Sequence, residues 1–279
     1  MYSTRRVQVP ALEHLRPFRN DRTRVAISEL LLTFTPIALD ERKEVALLDR
    51  SEVKYTVSIS ALLACLPDLR AAYRALDVDR RRLNRYRTLY FDTLDFQLYR
   101  RRHMGARNRY KVRSREYEDT HLSFLEVKHK TSKRRTIKHR MSTQEWVIAP
   151  DDNTSHFLDQ VSPLGAQDLV PRSWNRYRRI TLVANGSPER VTLDIDLEFY
   201  WQMRWAGLPG IVIAEVKQPP HVVHSPFVQL MRSPRFRSSG FSKYCMGVTM
   251  LYPDVKHNRL KPVQRRVARL IGEQHHGYH

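Results

Sequence analysis

The densest run of chemically useful side chains is Arg107–Arg140. It reads R-N-R-Y-K-V-R-S-R-E-Y and then L-S-F-L-E-V-K-H-K-T-S-K-R-R-T-I-K-H-R. In a β-strand successive side chains point to opposite faces, so Arg109, Lys111, Arg113 and Arg115 share one side while Asn108, Tyr110, Val112 and Ser114 take the other. The second half repeats the arrangement, with Glu126, Lys128 and Lys130 in one phase and Leu125 and Val127 in the other. Paired as a hairpin, these strands set like charges side by side, which destabilises a sheet unless an anion neutralises them. The chemistry on offer is capture of a strongly negative group.

Further basic residues stand on strand-like stretches elsewhere: Lys54, Arg176, Arg178 and Lys217. The acids among them suggest a second task. Mg²⁺ and Mn²⁺ prefer oxygen ligands and commonly bind one or two carboxylates together with phosphate oxygens. Glu126, Asp194, Asp196, Glu198 and Glu215 are candidates, and Glu215 beside Lys217 is the preferred ligand; for each acid an ion pair with a neighbouring cation is the competing role. The twelve His show no H-E-x-x-H spacing, and the chain has neither G-x-x-x-x-G-K-[ST] nor G-x-G-x-x-G. With nine Gly in all, phosphate has to be gripped by side chains.

The elements that must position these groups follow from length and pattern. The 279 residues suit one principal domain, and 49 Lys and Arg against 29 Asp and Glu leave a net charge of +20. That charge favours a polyanionic partner: nucleic acid, polyphosphate, phosphorylated metabolites or an anionic membrane surface. Cys65 and Cys245 are too few for a disulfide framework, which points to a reducing compartment. No run approaches the roughly 18 apolar residues of a membrane span, and M-Y-S-T-R-R-V-Q-V-P lacks the apolar core of a signal peptide, so a soluble cytoplasmic protein is expected.

Strands are expected at Ser51–Ile59, Tyr86–Asp92, the basic hairpin, Ser173–Val183, Arg190–Tyr200 and Gly210–Lys217. Helices are expected near Asp40–Leu48, from Ser60 as N-cap to about Pro67, from Thr93, from the Ser142–Glu145 capping-box pattern, around Ser225–Arg232 and at Val263–Ile271. The expected fold class is α+β: about eight antiparallel strands closed into a barrel, charged face inward around a linear polyanion and apolar face against outer helices.

Several short motifs occur in an ordered set. Y-R-T-L-Y-F-D-T-L-D-F-Q-L-Y at 86–99, N-R-Y-K-V-R-S-R at 108–115, F-L-E-V-K-H-K at 124–130, R-R-T-I-K at 134–138 and F-S-K-Y at 241–244 together resemble the VTC domain. That is the catalytic domain of the vacuolar transporter chaperone polyphosphate polymerase, within the triphosphate tunnel metalloenzyme (CYTH-like) superfamily. The resemblance implies an eight-stranded antiparallel tunnel over 40–252, flanked by an N-terminal extension at 1–39 and a basic tail at 253–279. It implies transfer of the γ-phosphate of ATP to a growing polyphosphate chain with Mn²⁺ or Mg²⁺, releasing ADP. By motif position Lys54 is similar to the first-strand tunnel lysine, Lys111 and Arg113 to the paired basic residues of the third strand, and Lys128 and Lys138 to the lysines that follow. Arg176 or Arg178, and then Arg190, resemble the later phosphate-binding arginines, Glu215 the metal-binding glutamate, and Lys243 the lysine of the closing F-S-K segment. On this reading Lys54, Arg113, Lys128 and Glu215 carry catalysis, and the terminal phosphate of the acceptor is the nucleophile.

Two departures stand out. The wider superfamily carries E-x-E-x-K on its first strand, where this chain has Arg50, Glu52 and Lys54. The chain also has no stretch for a phosphate-sensing SPX domain or membrane segments, and resembles a stand-alone bacterial-type version. The alternatives are a hydrolase of inorganic or nucleoside triphosphate on the same fold, and a non-catalytic module binding RNA or an inositol phosphate. Specific nucleic-acid binding is not expected, because Tyr110 falls on the face opposite Arg109, Lys111 and Arg113.

Overall fold

The structure is a computed structural model, and it describes residues 21–41, 51–133, 135–220, 225–232, 236 and 238–276. Most of the helix expected at Asp40–Leu48 lies outside the described residues, as do Arg50 and Arg134. In chain order the elements are α1 (Asp21–Leu32), β1 (Pro36–Ile37), β2 (Ser51–Ser58), α2 (Ile59–Cys65), β3 (Tyr73–Leu76), β4 (Asn84–Asp92), α3 (Gln97–His103), β5 (Arg109–Tyr117), β6 (Leu122–Lys130) and β7 (Thr136–Thr143). There follow α4 (Asp152–Val161), β8 (Val170–Ala184), β9 (Arg190–Trp201), β10 (Arg204–Leu208), β11 (Ile211–Gln218), α5 (Pro226–Leu230), α6 (Lys243–Leu251) and α7 (Lys261–His276). No helix among the described residues is long and apolar enough to cross a membrane.

Among the described residues the strands form one sheet of eleven, with the order β2-β11-β9-β8-β4-β5-β6-β7 along its main path and antiparallel pairing throughout that path. β10 extends β9, β3 pairs with β8, and β1 lies parallel to β3. The fold is thus α+β with an antiparallel sheet, as expected. The eight-stranded closed barrel is corrected: among the described residues no ladder joins β2 to β7. The sheet nevertheless curls until its ends approach, because Lys128 on β6 reaches Glu52 on β2 at 3.7 Å. The free edge of β2 is covered by other means. Tyr55 bridges to Ser238, Ser239 N–H donates to the Lys54 carbonyl, and Arg266 of α7 donates to the Thr56 carbonyl. Unpaired edge groups are thereby satisfied without a closing strand.

Burial of the aliphatic phase drives this curl. Val57, Leu193, Val212, Ala214 and Val216 pack outward with Ile27 and Leu31 of α1 and Leu62 of α2. Val112, Leu125 and Val127 pack outward with Trp146 and with Leu158 of α4. Val267 and Leu270 of α7 join that second core, so the described parts of both flanks pack onto the sheet. With apolar faces turned out to the helices, the charged phases of β2, β5, β6 and β11 turn inward.

Three helix starts differ from the sequence pattern. Ser58, not Ser60, caps α2, accepting from Ala61 N–H. After Asp92 the chain makes a turn through Phe96, whose φ of 62° lies in the left-handed region, so α3 begins at Gln97; the Asp92 carboxylate accepts from Leu98 and Tyr99 N–H. The Ser142–Glu145 pattern does not start a helix, because β7 runs through Thr143 against β6. The working capping box is Asp151 with Thr154 at the start of α4.

Candidate anion-binding site

Cross-strand register builds the first wall. Lys111, Lys128 and Lys138 stand in one row across β5, β6 and β7, and Arg113, Glu126 and Arg140 in the next. Glu126 is 1% exposed and gathers three cations. Its Oε2 accepts from Arg113 Nε at 2.7 Å and Nη2 at 2.6 Å, and its Oε1 accepts from Arg140 at 2.6 Å and Lys138 at 2.5 Å. Burial opposes its ionisation, but Arg113, Arg115 and Lys138 overcome that and hold the carboxyl far below its usual range. Arg140 also lies over the Phe124 ring, which fixes the cation's plane.

The opposite wall comes from β2, β11, β9 and β8. Lys54 pairs in register with Glu215, and Glu52 with Lys217. Lys54 Nζ lies 2.9 Å from Glu215 and also contacts Glu52, while Lys217 contacts the other Glu215 oxygen. Arg179 of β8 grips Asp194 of β9 through two hydrogen bonds of 2.6 and 2.8 Å, and Lys243 at the start of α6 reaches the same carboxylate. The two walls meet where Lys128 approaches Glu52 and where Lys111 donates to Ser242 Oγ at 3.1 Å.

Burial sets the electrostatics. It lowers Lys54, Lys111 and Lys243, takes Lys217 down to about 7 and takes Lys138 down to about 8; the partner carboxylates restore only part of the loss for Lys54, Lys138, Lys217 and Lys243. Asp194 is held at about 2, since Arg179 and Lys243 outweigh its burial. Such a face is crowded with cations whose charge is costly until an anion arrives.

The sequence-selected residues divide cleanly by face. Lys54, Arg109, Lys111, Arg113, Lys128, Lys130, Lys138, Arg190, Lys217, Glu126, Asp194 and Glu215 share the inner phase by register, and Lys243 enters from α6. Arg176 and Arg178 do not. They pair with Arg87 and Arg85 on the outer phase and approach Glu198 and Asp196, at 3.7 and 3.4 Å. A bulge between β8 and β9, with Asp196 at φ 53°, shifts the phase there, so Asp194 points in while Asp196 and Glu198 lie outside. Asp196 is therefore removed from the metal candidates. The residue that sequence alternation missed is Arg179, hidden because R-Y-R-R puts charge on both phases of the strand.

Aromatic side chains do share the basic face, contrary to the inference from Tyr110, which stacks outside on His129. Tyr86 and Tyr177 stack at 5.4 Å, with Arg179 over both rings and Lys243 over Tyr177. They are buried at 5% and 0% exposure, so they brace cations and are closed to nucleobase stacking. The Tyr177 hydroxyl and Thr192 Oγ1 are buried with no hydrogen-bond partner among the described residues.

The donor set can be tested against a divalent ion. No three His, Cys, Asp or Glu among the described residues converge as a cage. Asp194 and Glu126, 2% and 1% exposed, are enclosed by their cations, whereas Glu215 and Glu52, also paired, are more open, with side chains 16% and 29% exposed. Glu215 and Glu52, brought to the same ammonium, offer hard oxygen donors of the kind that hold Mg²⁺ or Mn²⁺ jointly with phosphate. The residues fit an ion bridged by substrate and do not fit an all-protein site.

Among known proteins, the family model described as VTC domain matches residues 49–252. None of the curated proteins matches the chain. Solved structures with similarity include a candidate adenylyl cyclase from Hippeastrum, described as having a dominant triphosphatase activity, at 16% identity and TM-score 0.46, covering 75% of this chain and 100% of that one. A candidate adenylate cyclase from Bacillus halodurans is 16% identical at TM-score 0.40, covering 61% and 80%. Another from Vibrio parahaemolyticus is 14% identical at TM-score 0.37, covering 61% and 75%.

Proposed function

The chain belongs to the VTC domain family, and on that premise we propose that it is a polyphosphate polymerase. The γ-phosphoryl group of ATP passes to the terminal phosphate of a polyphosphate chain, the bond to the β-phosphate breaks, and ADP leaves. The observation that carries this reading is the convergence of Lys54, Lys111, Arg113, Lys128, Arg179, Lys217 and Lys243, from five strands and α6, on one inner face.

Phosphoryl transfer asks little covalent work of a protein; positioning and neutralisation of spreading charge dominate. Arg113 and Arg179 are held rigidly by Glu126 and Asp194, so their remaining N–H donors are preorganised for phosphate oxygens. A bound anion favours the charged form of the lysines that burial lowers, which couples substrate binding to protonation. The buried Tyr177 hydroxyl, with no hydrogen-bond partner among the described residues, is one more group that could meet a phosphate oxygen. A Mn²⁺ or Mg²⁺ ion, when bound, supplies positive charge to the triphosphate oxygens, and Glu215 with Glu52 would hold it.

One observation favours polymerase over the hydrolase of the same fold. Arg50 stands where the wider superfamily's first strand carries the first acid of E-x-E-x-K, so one carboxylate of a two-ion hydrolytic site is replaced by a cation. The test is substitution at fixed fold. Glu215→Ala and Arg113→Gln should abolish ATP-dependent polymer synthesis while circular dichroism stays native; near-normal synthesis by folded Glu215→Ala protein would defeat the metal assignment.

A further inference from the structure

Cations on the inner face mostly carry a carboxylate partner, but at the start of β5 the pattern breaks. Arg102 in the last turn of α3, Arg107 in the connecting turn, and Arg109 and Lys111 on β5 have no carboxylate within ion-pair distance among the described residues. Arg109 donates to the Ala106 carbonyl and Lys111 to Ser242, both neutral acceptors. Arg101, beside them, donates to the Asn108 carbonyl. Arg102 lies near enough to Lys111 and Arg109 to disfavour the charge on both, after desolvation. Helix-end cations ordinarily need no more than the favourable α3 terminus. That does not explain Arg107 and Arg109, which stand beyond the helix.

We infer that Arg102 and Arg107 extend the inner face beyond Arg109 as a landing track for a polyanion, taking the part of a long polyphosphate chain that runs past Lys111 and Arg109. Arg109, Lys111 and Arg113 stand on one face of β5 with a rise of about 7 Å between successive members, so the track continues the line of the inner cations. It gives chain-length dependence: a tripolyphosphate fills the inner face alone, whereas a long chain engages both segments and gains avidity. The inference rests on the polyphosphate reading of the inner face, and the experiment separates the two.

Binding of inorganic tripolyphosphate and of long-chain polyphosphate is measured by calorimetry, without nucleotide or metal, for the full chain and for Arg102→Gln/Arg107→Gln and Arg113→Gln. The double variant should bind long chains about tenfold more weakly, with a shallower salt dependence, and bind tripolyphosphate within about threefold of the parent. Arg107→Gln alone, at an exposed position, should show part of the same selective loss and serves if the double variant does not fold. Equal weakening for both ligands, or unchanged long-chain affinity in folded variants, overturns the track. Arg113→Gln should lose tripolyphosphate binding; if it does not, the inner-face reading fails whatever the track variants show.

Discussion

Arg113 and Glu126 face each other across the β5–β6 ladder, and two guanidinium nitrogens of the arginine converge on one oxygen of the acid at 2.6 and 2.7 Å. The other oxygen is taken by Lys138 and Arg140. A group that reads from sequence as a metal ligand is therefore the counter-ion of the basic wall. Removing it strands three cations in a low-dielectric face. Glu126→Ala should lower unfolding free energy by about 3–5 kcal/mol, the usual cost of breaking a buried pair. Denaturant titration checks this, and a loss under about 1 kcal/mol would show that the cations find other partners or water.

Arg178 and Arg179 are neighbours in sequence on opposite faces of β8, which makes them a paired test of the site. Arg179→Gln should reduce kcat/KM for ATP by about 100-fold or more, the scale for a preorganised charged donor. Arg178→Gln should change it less than about threefold, because its guanidinium lies beside Asp196 on the outer side. Steady-state kinetics on both proteins decides; equal losses would contradict the phase assigned to the strand.

Lys138 is brought by burial to about 8, below an ordinary lysine. The folded state releases this proton more readily than the unfolded chain, so between about 8 and the ordinary lysine value of about 10.4 the unfolded chain binds more protons, and this lysine's contribution to stability rises with pH. Anion binding runs the other way, because it needs the charged ammonium. Tripolyphosphate affinity should fall as pH passes about 8, and Lys138→Arg should flatten the profile. Calorimetry across that window reads both; an unchanged slope in Lys138→Arg would remove Lys138 from the binding set.

Gly247 in α6 lies against Phe199, and a Cβ there would meet the ring at 2.7 Å. α6 also carries Lys243 to Asp194. Gly247→Ala should cost about 1–3 kcal/mol through overpacking and lower kcat by displacing Lys243. Thermal unfolding and turnover measured together test the link; lost stability with full activity would separate the helix position from the chemistry.

The basic hairpin was legible in sequence because β5 and β6 are regular ladders, so period-two alternation places Lys111, Arg113 and Lys128 correctly. Lys54 and Glu215 were legible for the same reason. Alternation failed in two places: the bulge at Asp196 reverses the phase of β9 for Asp196 and Glu198, and R-Y-R-R carries charge on both phases of β8, so it could not choose Arg179 over Arg176 and Arg178. The seam could not be read either. It depends on contacts distant in sequence, such as Tyr55 with Ser238 and Arg266 with Thr56, which leave no local pattern. The burial and pairing of each inner acid are likewise tertiary facts, and they decided which carboxylates remain for a metal.

The most direct measurement is product analysis after incubating the pure protein with ATP and Mn²⁺ or Mg²⁺, with and without a short polyphosphate primer. The expected result is long polyphosphate and stoichiometric ADP, with synthesis accelerated by the primer. Orthophosphate without polymer under the same conditions would contradict polymerase function and assign the inner face to hydrolysis.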